Sequence, residues 1–485
     1  RPLSAAPTLE PFVAGRRRRS DAPAALQSVN PSDPDDVVAL VPEGAASDVD
    51  AAVAAAAEAL PGWRGATGPT RAEHLYRWSE AVAARGEELA QAMAREVGKP
   101  IAEARGEAGR GVAILRYYAG EAVREAGSVI PSQLPETLQL TLREPLGVVG
   151  LIAPWNFPVA IPLWKAAPAL AFGNTVVLKA AEAASHVVSL LAETASAAGL
   201  PPGVFNVLFG LGPVVGEALV AHPLVRGVSF TGSARVGARV AGIAARRNVR
   251  YQTEMGGKNA AIVLPDADLP RAGAMTVAGA MRFAGQKCTA TSRVIVDRRV
   301  VEEFTALLAS QAAALPIGPV TDPAAAVGPL ISDASLRRVT ALLAEHPCRV
   351  HTGGGPPADP RFSKGWFLSP TVLSGVEAGS PLRTEELFAP VLVVLPADGL
   401  DEALALANDT PYGLSASIFT RDTRSALRYV RRIEAGLVRI NGDTTGVDPH
   451  APFGGMKGSS SGSREQGPAA RDFYTEIKTV QISGG

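Results

Sequence analysis

Cysteine is almost absent from the 485-residue chain, which has only Cys288 and Cys348. That excludes a disulfide-stapled scaffold and favours a reducing compartment, so a cytoplasmic protein is expected. Net charge is missing too. Forty-seven basic side chains cancel 47 acidic ones, which argues against a general nucleic-acid binder, because such domains carry a basic surplus. No apolar run of about 18 residues occurs, so no membrane-spanning helix is expected, and residues 1–25 lack the apolar core of a signal peptide. Lysine is the last scarcity. Lys99, Lys165, Lys179, Lys258, Lys287, Lys364, Lys457 and Lys478 stand against 39 arginines. With abundant Ala, Gly and Pro this fits GC-rich coding, and a lysine that survives such a bias is a candidate for a specific job.

What is present is an alternation of apolar strand-like runs with Ala/Leu-rich helical stretches, the pattern of an α/β protein with mainly parallel sheets. The length suggests about two to four domains, with no internal repeat and no low-complexity linker between them. Residues 48–60 and 71–125 read as helices, broken at Pro61-Gly62 and at Gly98-Lys99-Pro100. Strands are expected at Val148–Ala153, Thr175–Lys179, Val204–Leu208 and Val228–Thr231. A second set is expected at Asn259–Leu264, Arg293–Val296, Phe367–Leu373, Val391–Leu395, Ser415–Phe419 and Leu437–Asn441. Leu138–Arg143 alternates apolar and polar residues, as does Tyr474–Ile482; the two could pair with each other or with another subunit. Arg16–Arg19 reads as an exposed turn rather than a localisation or heparin patch.

Several residues could carry chemistry. Cys288, in Gly285-Gln286-Lys287-Cys288-Thr289, has an adjacent cation, and a neighbouring cation lowers a thiol pKa toward the nucleophilic thiolate. Cys348 reads as a small packing residue. A Cys–His hydrolase is an alternative, with His450 as the histidine, although no histidine sits in a comparably distinctive motif. Gly210-Leu211-Gly212-Pro213-Val214-Val215-Gly216 imitates a dinucleotide fingerprint but ends GxGxxxG, without an acidic residue obviously placed for a ribose. Phe230-Thr231-Gly232-Ser233 follows a strand and opens a helix, where free amides and the helix dipole could hold a pyrophosphate. Either turn could equally be a plain strand-to-helix connection.

Seven segments then occur in order: Pro154-Trp155-Asn156-Phe157-Pro158, Leu178-Lys179-Ala180-Ala181-Glu182, Phe230–Gly237, Glu254-Met255-Gly256-Gly257-Lys258, Gly285–Cys288, Glu385-Glu386-Leu387-Phe388-Ala389-Pro390 and Pro452-Phe453-Gly454-Gly455-Met456-Lys457. In this the chain resembles the NAD(P)-dependent aldehyde dehydrogenase superfamily, from about residue 25 to Ile482. The resemblance implies a Rossmann-like NAD-binding domain (1–125 and 148–254), an α/β catalytic domain (255–469) and a small β oligomerisation element (126–147 and 470–485). It implies that Cys288 attacks the aldehyde, that Asn156 and the Cys288 N–H stabilise the oxyanion, and that Glu254 activates the water that hydrolyses the thioester. Glu465 matches a glutamate implicated in proton relay. Lys179 and Glu182 match contacts to the adenosine ribose, Gly232 and Ser233 contacts to the pyrophosphate, Trp155 the adenosine side, and Glu386 with Phe388 the nicotinamide ribose. A carboxylate at Glu182 favours NAD, with NADP possible. The family usually has Gly where this chain has Ala389. No metal is implied, and a homodimer or homotetramer is.

Phe157, Trp164 and Phe453 match positions lining the substrate tunnel. Arg282 matches an arginine that succinate-semialdehyde dehydrogenases use for the distal carboxylate, but Trp164 replaces their second arginine. Lys287 matches a basic position in dehydrogenases of anionic aldehydes such as phosphonoacetaldehyde. Residues 452–467 are similar to the 2-oxoglutarate-semialdehyde (2,5-dioxopentanoate) branch, which is the favoured reading over succinate semialdehyde, phosphonoacetaldehyde or broad aliphatic aldehydes. An acyl-transferring or reductive relative is disfavoured by Glu254. A catalytically silent structural member is disfavoured by the intact Cys288, Asn156 and Glu254.

Overall fold

The fold was obtained as a computed structural model, which describes residues 6–124 and 126–484; the outer limits of the expected segments at residues 1–5, 125 and 485 lie outside them. Two parallel sheets dominate. The first has eight strands, in the spatial order Arg16–Arg17, Phe12–Val13, Phe205–Leu208, Thr175–Lys179, Val148–Ile152, Val225–Thr231, Arg250–Glu254 and Ser460–Ser461. Its five central strands are parallel. Runs such as Thr175-Val176-Val177-Leu178 are buried on both faces, as strands covered by helices on either side must be. Counted along the chain, those five strands lie in the order 3-2-1-4-5. The order therefore reverses between Val148–Ile152 and Val225–Thr231, and a doubly wound sheet opens a ligand crevice at that point.

The second sheet runs Arg349–Thr352, Thr371–Ser374, Val391–Ala397, Thr291–Asp297, Asn259–Val263, Ser415–Phe419, Leu437–Ile440. It is parallel except at its antiparallel edge, Arg349–Thr352. Each sheet has its own apolar core. The two alternating segments pair with each other: Thr475–Ser483 runs antiparallel to Thr137–Pro145 over nine residue pairs, with Val129–Ile130 beyond. This third sheet keeps Leu138, Leu142, Ile477 and Ile482 exposed.

Several expected elements differ. The first long helix, Ala46–Gly65, continues through Pro61. The proline stands exposed near the helix end, and its missing N–H leaves the helical ladder one bond short there. The expected break at Gly98-Lys99-Pro100 is present, but a further one at Arg85 divides residues 71–125 among three helices, Gly68–Ala84, Gly86–Val97 and Ile101–Glu121. The strand expected at Phe367–Leu373 is confined to Thr371–Ser374. A hairpin, Leu26–Asn30 with Asp33–Val41, has no counterpart in the sequence reading, because Asp33-Pro34-Asp35-Asp36 resembles a loop. Arg16–Arg17 is an exposed two-residue edge strand rather than a turn.

Candidate active site

The first sheet's reversal point opens into a cleft of about 350 Å³ lined by Trp155, Asn156, Gly232, Ser233, Cys288 and Glu386, among others. Trp155 and Asn156 follow the strand Val148–Ile152, and Ser233 caps the helix Ala234–Arg246. Its side chain accepts from the Val236 N–H at 3.5 Å, so the first free amides of that helix sit beside the crevice. Glu386 accepts the Gly257 N–H at 3.1 Å. It reaches so close to Gly256 that an added Cβ there would fall 2.1 Å from its carboxylate, which explains the glycine. Burial pushes Glu386 up to about 7. Buried Lys258 donates to the Leu382 carbonyl at 3.0 Å and steadies the turn before Glu386. Phe388, with φ +55°, packs edge-on against Trp155 with centroids 5.6 Å apart. At the carboxyl end of the neighbouring strand Thr175–Lys179, Glu182 accepts from Lys179 at 2.9 Å and from the Gly212 N–H at 3.0 Å. The two glycine-rich turns are thus separate. Gly212 holds Glu182, while Gly232 and Ser233 face the cleft.

Cys288 follows a left-handed run, Phe283, Ala284 and Gly285, with φ +54°, +52° and +66°. At Gly285 a Cβ would lie 2.3 Å from the Ala389 carbonyl oxygen, so a side chain is excluded there by both conformation and space. The run is held by Gln286, whose amide donates to the Pro329 carbonyl at 3.1 Å and accepts the Ile331 N–H at 2.8 Å. Asn259 donates to the carbonyls of Cys288 and Ala290, each at 2.8 Å. Asn156 Nδ2 donates to the Gln286 carbonyl at 3.0 Å, which leaves its second N–H beside the thiol segment.

One electrostatic expectation fails. Lys287 does not lower the Cys288 thiol; burial, then the charges of Glu386 and Glu254, push it up. The reason is geometric: the Lys287 side chain turns to Glu103, 2.9 Å away.

Glu254 ends the strand Arg250–Glu254 and is fully buried. One carboxylate oxygen accepts from Ser460 Oγ at 2.6 Å. The other has no hydrogen-bond partner, an orphan that native interiors seldom tolerate without a use. Burial raises this carboxyl well above the usual range, and Glu465 adds to the rise. Glu465 itself is held by four donors: Lys165, Ser229 at 2.8 Å, Trp164 Nε1 at 2.8 Å and Gln252 at 3.3 Å. No direct hydrogen bond joins it to Glu254 among the described residues.

On the other side of the thiol, Phe453 packs with Leu414, Leu437, Val447 and Cys288. It also meets Trp164 at 5.3 Å between centroids, and Phe157 approaches Phe283. Arg282 is exposed at the start of the left-handed turn and has no carboxylate partner among the described residues. His450 is exposed, its ring 6.3 Å from Tyr117, and is not part of the cluster around Cys288. Cys348 is half-buried at the edge of the second core.

The model of the aldehyde dehydrogenase family matches residues 18–480. The chain belongs to the aldehyde dehydrogenase family. It is 44% identical to an alpha-ketoglutaric semialdehyde dehydrogenase of Bacillus subtilis, over 97% of each chain. It is 38% identical to a 2,5-dioxopentanoate dehydrogenase of Saccharolobus solfataricus, over 93% of this chain and 95% of that one. The crystal structure of an NAD-dependent aldehyde dehydrogenase from Sinorhizobium meliloti superposes with a TM-score of 0.95 at 36% identity, covering 98% of this chain and 95% of that one.

Within this aldehyde dehydrogenase, sequence reasoning missed the supports rather than the motifs. Asn259, Gln286 and Ser460 are ordinary polar residues that become informative only once buried. Lys99 and Lys165, by contrast, carried a signal: both survive the scarcity of lysine, and both are buried with ionic partners.

Proposed function

We propose that the protein oxidises an anionic semialdehyde, 2-oxoglutarate semialdehyde (2,5-dioxopentanoate), to the corresponding dicarboxylic acid with NAD. The observation that carries the aldehyde-to-acid reading is the unpartnered, buried oxygen of Glu254 near the Cys288 thiol. That oxygen can accept a proton from the thiol or from a water, and no hydrogen-bond donor among the described residues occupies it. Cys288 Sγ adds to the aldehyde carbon while the second N–H of Asn156 and the Cys288 N–H receive the developing oxyanion. NAD held in the cleft would supply the acceptor for the hydride that leaves the thiohemiacetal as it becomes a thioester. Glu254 then takes a proton from water as that water attacks the thioester, releasing the acid and the thiol. Glu465, with Lys165, sets the charge that Glu254 feels and is the route for the proton to leave.

The cleft suits a dinucleotide because it lies at the sheet's reversal point with a helix N-terminus for the pyrophosphate. Ser233 and Gly232 would hold the pyrophosphate, Lys179 and Glu182 the adenosine ribose, Trp155 the adenosine side, and Glu386 with Phe388 the nicotinamide ribose. The fixed carboxylate of Glu182 repels a 2′-phosphate, so NAD is preferred over NADP. For the substrate, Phe157, Trp164 and Phe453 supply an apolar wall. Lys287 is already compensated by Glu103, which weakens the phosphonoacetaldehyde reading, so Arg282 is the cation for the distal carboxylate. The names of the two relatives support the same substrate. The exposed apolar face of the third sheet supports a homodimer or homotetramer. No helix among the described residues is long and apolar enough to cross a membrane, and the two free thiols fit the reducing cytoplasm.

A panel of 2-oxoglutarate semialdehyde, succinate semialdehyde and propanal, each with NAD and NADP, tests this reading. The highest kcat/KM is expected for 2-oxoglutarate semialdehyde with NAD. A higher value for propanal would reject the anionic substrate.

A further inference from the structure

Directly beneath Asn156 lies a second buried ion pair that the reaction as described does not use. Lys99 ends the turn before helix Ile101–Glu121, and Glu107 stands two turns further on. Their side chains are bonded to each other and almost wholly sealed from solvent. The lysine also donates to the Asn156 main-chain carbonyl at 2.7 Å. It lies over two aromatic rings, 4.0 Å from the centroid of Phe157 and 4.5 Å from that of Phe283. Glu107 uses its other oxygen to accept the N–H groups of Val159 and Ala160, at 2.9 and 3.0 Å. Between them the two side chains grip the turn at Asn156, the following residue's ring, the first amides of the next helix, and the first residue of the left-handed run that leads to Cys288.

A sealed ion pair is a poor stabiliser, because desolvating two charges offsets most of their attraction, and well-packed apolar residues often do as well or better. What such a pair does supply is direction. The Asn156 amide must meet an oxyanion that exists only in the transition state, and an error of about 1 Å there is expensive in rate. The contacts made by Lys99 and Glu107 are aimed at the main-chain carbonyl of Asn156, at the amides three and four residues after it and at a ring in the nucleophile's own segment. Trp155 and the cofactor contacts gain nothing from them directly.

We infer that Lys99 and Glu107 are positioning residues that hold the Asn156 amide in register with the Cys288 segment. The inference rests on the reading of Asn156 as an oxyanion donor.

The test is a double-mutant cycle on the full-length enzyme with NAD and an aldehyde that the wild type turns over. Asn156→Ala is expected to lower kcat by about 100- to 1000-fold. Lys99→Met is expected to lower kcat by roughly tenfold or more, with KM for the aldehyde and Kd for NAD within about twofold of wild type. The combined variant should be no more than about twofold slower than Asn156→Ala alone, because a residue acting through Asn156 has nothing left to lose. Multiplying effects in the double variant would overturn the inference while sparing the role of Asn156. A wild-type kcat in Asn156→Ala would overturn the oxyanion reading and the inference with it. If Lys99→Met does not fold, Lys99→Arg and Glu107→Gln run the same cycle with donors and acceptors retained. Unchanged kcat in both would also refute the inference.

Discussion

Two buried lysine–glutamate pairs lie near Cys288, and their contacts differ in kind. Lys99–Glu107 reaches out mainly to the main chain, at Asn156, Val159 and Ala160. Lys165–Glu465 reaches side chains, at Ser229, Trp164 and Gln252, and its glutamate helps to raise the neighbouring Glu254 carboxyl. The first arrangement fixes where a hydrogen-bond donor points. The second acts, together with burial, on the electrostatics of the Glu254 carboxyl. Similar residues therefore serve geometry on one side of the thiol and electrostatics on the other, and the division can be broken by mutation.

The largest effect removes the point at which both pairs act. Cys288→Ala should abolish NADH formation while NAD binding, followed by calorimetry, is retained; residual turnover above background would sink the assignment of the nucleophile. Next comes the electrostatic side. Glu254→Gln should lower steady-state kcat by about 100- to 10,000-fold, with one equivalent of NADH still formed in a rapid-mixing burst because the acyl enzyme accumulates. Loss of the burst itself would place Glu254 earlier in the reaction.

A subtler change separates charge from geometry. Glu254 titrates above the ordinary carboxylate range, and a base must be deprotonated, so kcat should rise with pH beyond that range. Removing the Glu465 charge by Glu465→Gln takes away one cause of the elevation, so the acidic limb of the kcat profile should move to lower pH. A limb that stays in place would show that burial alone sets Glu254. Lys99→Met, which leaves the Glu254 surroundings intact, should lower the whole profile without moving it.

The smallest effects lie at the rims. Arg282→Ala should reduce kcat/KM for 2-oxoglutarate semialdehyde by about two- to fivefold, the size of one screened ion pair, and leave propanal unaffected. Equal losses on both substrates would remove Arg282 from substrate recognition. At the opposite rim, Glu182→Gln should narrow the preference for NAD over NADP by a similar or smaller factor, read from the ratio of the two kcat/KM values.

These contrasts also mark what could be read from the chain. Motifs local in sequence were legible because their chemistry and their spacing coincide: Cys288 with Gly285, Glu254 with Gly256, Asn156 after a buried strand. The alternation at Leu138–Arg143 and Tyr474–Ile482 anticipated a pairing across more than 300 residues, since both runs show one polar and one apolar face. The Lys165–Glu465 bond spans 300 positions and has no such periodicity to announce it. The thiol's electrostatics stayed open in the sequence for a related reason. Adjacency of Lys287 and Cys288 in sequence says nothing about side-chain direction, and only the fold sends the lysine to Glu103. The hairpin at residues 26–41 was missed because its aspartates imitate a loop.

The third sheet carries a mechanical consequence. Its strand Thr137–Pro145 leads directly into Val148–Ile152 and so to Asn156, while its partner Thr475–Ser483 begins ten residues beyond Glu465. Arg250, which opens the strand ending at Glu254, donates to the carbonyls of Asp472, Phe473 and Thr475. The segments bearing Asn156, Glu254 and Glu465 are therefore all moored to the same ribbon. A surface that covered its exposed apolar face would therefore rest on a ribbon continuous with, or hydrogen-bonded to, the segments that carry Asn156, Glu254 and Glu465.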